Sequence, residues 1–498
     1  MGKKDVNSMI AKGAVWMVAL RASIKFIGII STVILARLLN PDDFGLVALG
    51  TSLYAMVLLM RQFGFDTVLI QKQDATEDHY NTAWTMKLIL SSVASVLIVL
   101  LCYPFSVYYS DERLVNVLLF MSAIVFLSGF VNVGIVQFRK EMNFDLEFKF
   151  RVIAKLTTFF ITIYFAFLLE SYVALLIGML SSQLITLVLS YIMHAYRPRF
   201  SIKMWKDMLS FSIWLFANNI LIYLNNHGQN FIIAKMLGSA PLGLFTVGNE
   251  IANLTASDVV APINSAAYSG YAKVSSDIDK LRDTYLKVLS NVLVISLPCA
   301  LGICAVANLL VPVMLGEKWV SIIPVMELIA VSSIFASVTA CSGYVYLALA
   351  KQYITTYLML IRIIIFFTLL ILLSDVYGMF GAGLAVLITS IIIFPVSKIV
   401  ISRILSISPL SLLSIFIRPV IASLTMYFVV EYYTGSVDLS SGLVFDGVYY
   451  LLISVFIGAF IYCAVLLSLW GLSGRPNTVE SYVLNWVDRK YRTISNRA

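Results

Sequence analysis

Apolar runs of about twenty residues recur along the whole chain, separated by short polar stretches. A bilayer core of roughly 30 Å is crossed by about 20 helical residues. Inside lipid, only helices and closed barrels satisfy their own backbone N–H and C=O groups. A barrel would alternate apolar and polar residues in segments of about ten, and the sequence carries no such alternation. Of the residues, 60% are hydrophobic and 12% charged, where a soluble domain carries roughly a quarter charged. The expected fold class is an all-α integral membrane protein.

Fourteen spans are predicted, at 13–38, 43–62, 83–108, 114–138, 150–169, 172–193, 209–237, 241–266, 286–309, 320–349, 353–374, 379–401, 411–432 and 447–470. The charged N-terminus runs straight into the first and reads as a retained span. An even number puts both termini on one side. With that side inside, Arg139, Lys140, Lys149 and Arg151 share one inner loop, and Arg197, Arg199, Lys203 and Lys206 the next. Lys273, Lys280, Arg282 and Lys287 occupy a third, while only Arg37, Arg113, Lys235 and Lys318 fall outside. This is the positive-inside pattern, and it accounts for the net charge of +8 without nucleic acid. A basic tail, 471–498, places Val479, Tyr482, Val483 and Trp486 at helical spacing, as an amphipathic helix on anionic membrane lipid would. The five cysteines show no metal-type spacing, and no metal, cofactor or catalytic residue is expected.

The chain also repeats. Residues 31–50, STVILARLLNPDDFGLVALG, align without a gap on 229–248, QNFIIAKMLGSAPLGLFTVG, at an offset of 198. Ile34/Ile232, Ala36/Ala234, Leu39/Leu237, Gly45/Gly243, Leu46/Leu244 and Gly50/Gly248 are identical. The offset covers six spans, so the second copy enters the membrane in the same direction as the first. Two six-helix lobes related by a pseudo-two-fold axis along the membrane normal follow. The expected division is an N-lobe at 1–201, a C-lobe at 202–405, two further helices at 406–470 and the tail at 471–498, with the basic loop 194–207 as linker.

Several segments resemble the polysaccharide exporters of the multidrug/oligosaccharidyl-lipid/polysaccharide flippase superfamily, closest to the Wzx-like colanic-acid exporter branch. They are ARLLNPDDFGLVAL at 36–49, GFDTVLIQKQDATEDHYNTAWTMK at 64–87, SFSIWLFANNILIYLNN and IIAKMLGSAPLGL within 210–244, and VPVMLGEKWVSIIPVMELI at 311–329. The resemblance implies a fourteen-helix, two-lobed inner-membrane flippase. Its cargo would be an undecaprenyl-diphosphate-linked oligosaccharide repeat unit, carried from the inner to the outer leaflet for surface polysaccharide biosynthesis. A polysaccharide polymerase and glycosyltransferases of the same pathway are the candidate protein partners.

Charges within spans are costly and mark functional sites. Arg21 and Lys25 lie one turn apart on one face of the first span, and Arg362 lies near the middle of the eleventh. A diphosphate suits such cations, arginine by bidentate hydrogen bonds. Arg21 and Lys25 lie outside the family pattern. Asn219, Asn226 and Asn230 recur at seven and four residues along the seventh span, and amides suit sugar hydroxyls, although asparagine also bonds helix to helix. Glu250, Asp258 and Glu327 are the acidic candidates for a coupling ion. Lys87 and Lys155 read as snorkelling residues, and Pro262, Pro298 and Pro395 as kinks.

Two other functions compete. A drug/cation antiporter of the same superfamily would line its cavity with carboxylates, whereas the first span holds two cations and no acid. A polysaccharide polymerase or ligase needs a catalytic loop with acid–base groups. The longest outer loop, 433–446, holds only Asp438 and Asp446 as acids. The expectation is a transporter working by alternating access through a cationic central cavity, not an enzyme.

Overall fold

The computed structural model describes residues 3–59, 65–72, 74–206, 213–254, 260–437 and 444–474, and all regular structure among them is helical. The chain divides into two compact units, Met1–Gly243 and Leu244–Ala498.

The first unit holds α1 (Lys3–Leu38), α2 (Pro41–Leu59), α3 (Phe65–Gln71), α4 (Glu77–Tyr109), α5 (Arg113–Gly129), α6 (Gln137–Lys140), α7 (Phe144–Leu169), α8 (Val173–Ile192), α9 (Ile213–Leu237) and the start of α10 (Ser239–Ala252). Local chemistry sets the ends. Pro41 opens α2, where a missing N–H breaks no helical bond. The Asp43 carboxylate accepts the Asn40 N–H at 3.0 Å and, across the unit, the Tyr172 N–H at 3.0 Å. Thr76 and His79 form the capping box of α4, with Thr76 N donating to His79 Nδ1 at 3.2 Å. Helices α4 and α5 form an antiparallel hairpin whose turn passes through Ser110 at φ 57°.

The fourth predicted span is not straight. Helix α5 stops at Gly129, a 3-10 turn follows at Val133–Val136, and the chain bends by 74°. Asn132 forces the bend. Its side chain accepts the Gly134 N–H at 2.8 Å and donates to the Tyr196 carbonyl at 2.6 Å, and its own N–H goes to Ser190 Oγ at 3.0 Å.

The second unit holds the rest of α10, then α11 (Ala261–Val274), α12 (Ile278–Met314), α13 (Ile323–Ala348), α14 (Tyr353–Leu405), α15 (Pro409–Gly435) and α16 (Val444–Leu472). Within the eighth predicted span α10 ends at Ala252 and α11 starts at Ala261, and residues 255–259 between them lie outside the described residues. Pro262 stands in the first turn of α11. At 53 residues, α14 would reach about 80 Å if straight. It is two predicted spans joined at Gly378, whose φ of 59° and ψ of −135° lie in territory that glycine alone enters freely. Helices α15 and α16 lie outside the repeat and pack on α12 through Ala305, Ala422, Met426, Val430, Tyr462 and Leu466. Tyr462 and Thr434 donate hydroxyls to α12 carbonyls at Val294 (2.7 Å) and Ala305 (3.2 Å).

Among the described residues, ten helices are long and apolar enough to cross a membrane, and the bent α5–α6 pair makes eleven. The two legs of α14 and the further helices α9, α10 and α11 are consistent with the expected fourteen spans. Large apolar side chains face outward, among them Phe460 at 75% and Phe428 at 63% exposed. Surfaces of that kind need lipid against them. The chain is a multi-pass membrane protein.

Candidate substrate-handling residues

The two copies of the repeated turn meet. A Cβ on Gly45 would lie 1.7 Å from the Ser239 carbonyl oxygen, and one on Gly243 would lie 1.8 Å from the Pro41 carbonyl oxygen. By the 198-residue offset, Gly45 corresponds to Gly243 and Pro41 to Ser239. The contact is therefore reciprocal, as a two-fold relation between copies requires. Polar bonds tie it down. Ser239 Oγ donates to one oxygen of Asp42, and Arg113 donates to the other at 2.5 Å while also holding Asp111 at 2.7 Å.

Helix α9 lies along α2 below this crossing. Tyr223 donates its hydroxyl to the Ser52 carbonyl at 3.0 Å, and His227 stacks on Tyr223 with ring centroids 5.4 Å apart. Asn230 is buried and donates to Ser52 Oγ at 2.9 Å. Its amide thus serves the helix–helix contact, the packing use that the sequence left open. Asn226 is exposed and accepts from Asn225 Nδ2 at 2.9 Å, while Asn219 is half-buried. The three amides differ in exposure.

Arg21 is exposed and Lys25 partly exposed on α1, on a face shared with Val18, Ala22 and Phe26. Arg362 flanks the buried stripe Ile363, Phe366, Leu370 and Ser374 of α14. It has no hydrogen bond or ion pair among the described residues. Of the acids, Glu250 is exposed, and Asp258 lies outside the described residues. Glu327 is half-buried near the start of α13, where its backbone carbonyl accepts the Cys304 thiol at 3.7 Å. Glu431 of α15 stands close enough to act on it electrostatically. The tail beyond residue 474 is also outside the described residues.

Lys87, read from sequence as snorkelling, instead pairs with Asp66 of α3. The basic stretch after α8 is strapped down as well. Asn81 Oδ1 accepts the Tyr196 hydroxyl at 2.5 Å and the Arg199 N–H at 2.8 Å. Thr85 Oγ1 accepts the Ser201 N–H at 3.0 Å, and Thr82 Oγ1 the Met204 N–H at 3.3 Å. At the start of the strap, His194 Nε2 lies 3.0 Å from Gln137 Oε1, and His194 Nδ1 accepts the Tyr196 N–H at 3.1 Å. Both contacts suit the neutral ring. Burial pushes the His194 pKa down, the nearby Glu141 charge opposes this, Arg197 adds to it, and the net shift is below the ordinary histidine value.

One strongly placed residue escaped the sequence reading. Lys398 of α14 is 8% exposed, yet its ammonium lies among Tyr285 OH (3.0 Å), the Val338 carbonyl (3.0 Å) and Ser342 Oγ (3.1 Å). It ends an apolar run close to a polar boundary, so counting charge by loop hides it.

A family model described as "Polysaccharide biosynthesis protein" matches residues 34–324. The chain belongs to that family. Among its relatives, the Escherichia coli K12 lipopolysaccharide biosynthesis protein WzxC is 27% identical over 390 residues, covering 76% of this chain and 78% of WzxC. A Klebsiella pneumoniae protein described as an uncharacterized membrane protein in the cps region is 26% identical over 385 residues, 76% of this chain and 79% of that one. Among solved structures, lipid II flippase MurJ in an inward closed conformation superposes with a TM-score of 0.74 at 15% identity, covering 92% of this chain and 99% of MurJ. An inward-facing multidrug resistance transporter of the MATE family and MOP superfamily gives 0.55 at 16% identity, over 79% of this chain and 99% of its own. At such identities the structures speak to fold. They agree with the family match, and together these findings bear out the superfamily resemblance read from sequence.

Proposed function

We propose that this member of the polysaccharide biosynthesis family is a flippase. It would move undecaprenyl-diphosphate-linked oligosaccharide repeat units from the inner to the outer leaflet of the bacterial inner membrane. The observation that carries this reading is the family match, with an alignment to WzxC over three quarters of both chains. The basic inner loops support cytoplasmic termini. In this reading 1–201 and 202–405 are the lobes that rock in alternating access, and 406–470 are the added helices. Arg21, Lys25 and Arg362 attract the diphosphate. The exposed amides of α9 serve the glycan. Membrane lipid surrounds the chain, and the polymerase and glycosyltransferases of the pathway supply and consume the cargo.

The test is flipping of a fluorescent undecaprenyl-diphosphate oligosaccharide in proteoliposomes, read by quencher access. A charge-assisted hydrogen bond contributes about 1.5–3 kcal/mol, so the combined Arg21→Ala, Lys25→Ala, Arg362→Ala protein should flip at least about tenfold more slowly. A normal rate in that protein refutes the cationic role. No flipping by the unaltered chain refutes the function.

A further inference from the structure

The Lys398 cluster has no part in the reading above, and its chemistry is distinctive. A buried ammonium ordinarily pairs with a carboxylate, but no ion pair forms at Lys398 among the described residues. The ionisable groups around it are phenols, a thiol and another cation. Tyr271 comes from α11, Tyr285 from α12, and Cys341 and Tyr346 from α13, all buried in one core. Arg403 lies further along α14 itself, and α15 contributes Leu412, Leu413 and Phe416. The ammonium also lies 5.7 Å from the Tyr285 ring centroid and 5.8 Å from that of Phe394.

The partners can serve either protonation state. Nζ, Tyr285 OH and Ser342 Oγ form a triangle, closed by a 3.1 Å contact between the two hydroxyls. As an ammonium, Lys398 donates three hydrogens, to the two hydroxyls and to Val338 O. As an amine it keeps two hydrogens and gains a lone pair. A carboxylate could not then donate, but a hydroxyl can turn its hydrogen toward nitrogen. The Val338 carbonyl keeps one N–H, one hydroxyl accepts the other, and the second hydroxyl donates back. Every group stays bonded.

Access is also present. A cavity of about 620 Å³ has Lys398 among its lining residues, with Phe394, Pro395, Ser402, Arg403 and Phe416. In the same core the buried Tyr271 hydroxyl lacks a hydrogen bond among the described residues. Buried polar atoms of that kind are ordinarily satisfied by water.

We propose that Lys398 is a proton-exchange site, the point at which this chain takes up and releases a proton. On release the Nζ–H bond breaks, the electron pair stays on nitrogen, and the proton passes to water in the cavity. On uptake, water returns it. Exchange in step with the transport cycle rests on the flippase reading, whereas the exchange itself does not.

Two measurements on the full-length chain separate these. In proteoliposomes that flip the labelled lipid, proton movement is followed with a trapped pH dye while external pH is varied. The unaltered protein should show flipping that changes about tenfold per pH unit on one side of its midpoint, with accompanying proton flux. Lys398→Arg, a cation that does not deprotonate, and Lys398→Met should lose both the flux and the pH response. Tyr285→Phe, which keeps the lysine and removes one reversible partner, should shift the midpoint by about one pH unit. Unchanged flux and pH profiles in these variants overturn the proposal. If the unaltered chain flips nothing, the flippase reading fails, and potentiometric titration of solubilised protein decides the exchange site. Release of about one more proton per chain than in Lys398→Arg supports it, and equal release refutes it.

Discussion

The reciprocal crossing of the two repeated turns makes a sharp prediction about stability. Replacing Gly45 by alanine puts a methyl 1.7 Å from the Ser239 oxygen and 2.6 Å from its carbonyl carbon. Ordinary contact is reached only when the turns separate by about 2 Å, and the obstacle is backbone on both sides, so no side chain can swing away. Overpacking by one methyl costs about 1–3 kcal/mol, and the rigid obstacle argues for the upper end. Separation also stretches the Ser239–Asp42 bond, at about 1 kcal/mol. Against this, alanine gains about 0.5–1 kcal/mol of helix propensity. The net loss is about 3 kcal/mol. Gly243→Ala meets the mirror-image obstacle, 1.8 Å from the Pro41 oxygen, and should lose as much. Because both methyls wedge one crossing, the second is admitted by the separation that the first has forced. The double variant should therefore lose about 1–2 kcal/mol less than the sum. Gly28 of α1 is the control, since a Cβ there meets nothing within 4 Å and alanine should be neutral or slightly stabilising. The assay is unfolding of the purified protein in detergent, followed by thiol accessibility. If Gly45→Ala behaves like Gly28→Ala, or if the two losses simply add, the reciprocal contact is not what holds the turns together.

Three further outcomes are expected. Glu147 is buried between Arg139 at 2.5 Å and Arg151 at 2.9 Å. Since both arginines are part-exposed, Glu147→Gln should destabilise by about 2 kcal/mol in the same unfolding assay, less than for a fully buried pair. The folded-state pKa of His194 lies below that of the unfolded chain, so the unfolded chain takes up the proton first on acidification. Stability should fall as pH drops below about 6.5 and level off once the folded ring also protonates, and His194→Gln should remove that step from an unfolding series in pH. A double-mutant cycle of Ser52→Ala and Asn230→Ala should give a coupling of about 0.6 kcal/mol, typical of hydrogen bonds between membrane helices. Zero coupling would leave Asn230 without its structural role.

What the residue pattern revealed, and what it concealed, divides along physical lines. Hydropathy reports burial from water along the chain, so most spans, the hairpin within α14 and the α12–α13 boundary were visible. The alignment of Gly45 with Gly243 was visible too, because like backbones need like small residues. That the two touch was not, since contact depends on where two distant turns are carried. Among the site residues, spacing alone could not separate Asn226 from Asn230. One turn of helix exposes the first and buries the second against Ser52. Lys398 was hidden for the opposite reason. Its neighbours are uncharged, so no complementary residue marks it in the sequence.

The binding of residues 196–204 to α4 gives that stretch a register. A loop that hangs free accepts inserted residues at small entropic expense. Here the N–H groups of Arg199, Ser201 and Met204 are matched in turn to Asn81, Thr85 and Thr82. A residue added between Tyr196 and Met204 would carry every later donor past its acceptor. Length in this segment is therefore as constrained as in a helix, and an epitope or fluorescent fusion placed there would report on a broken protein.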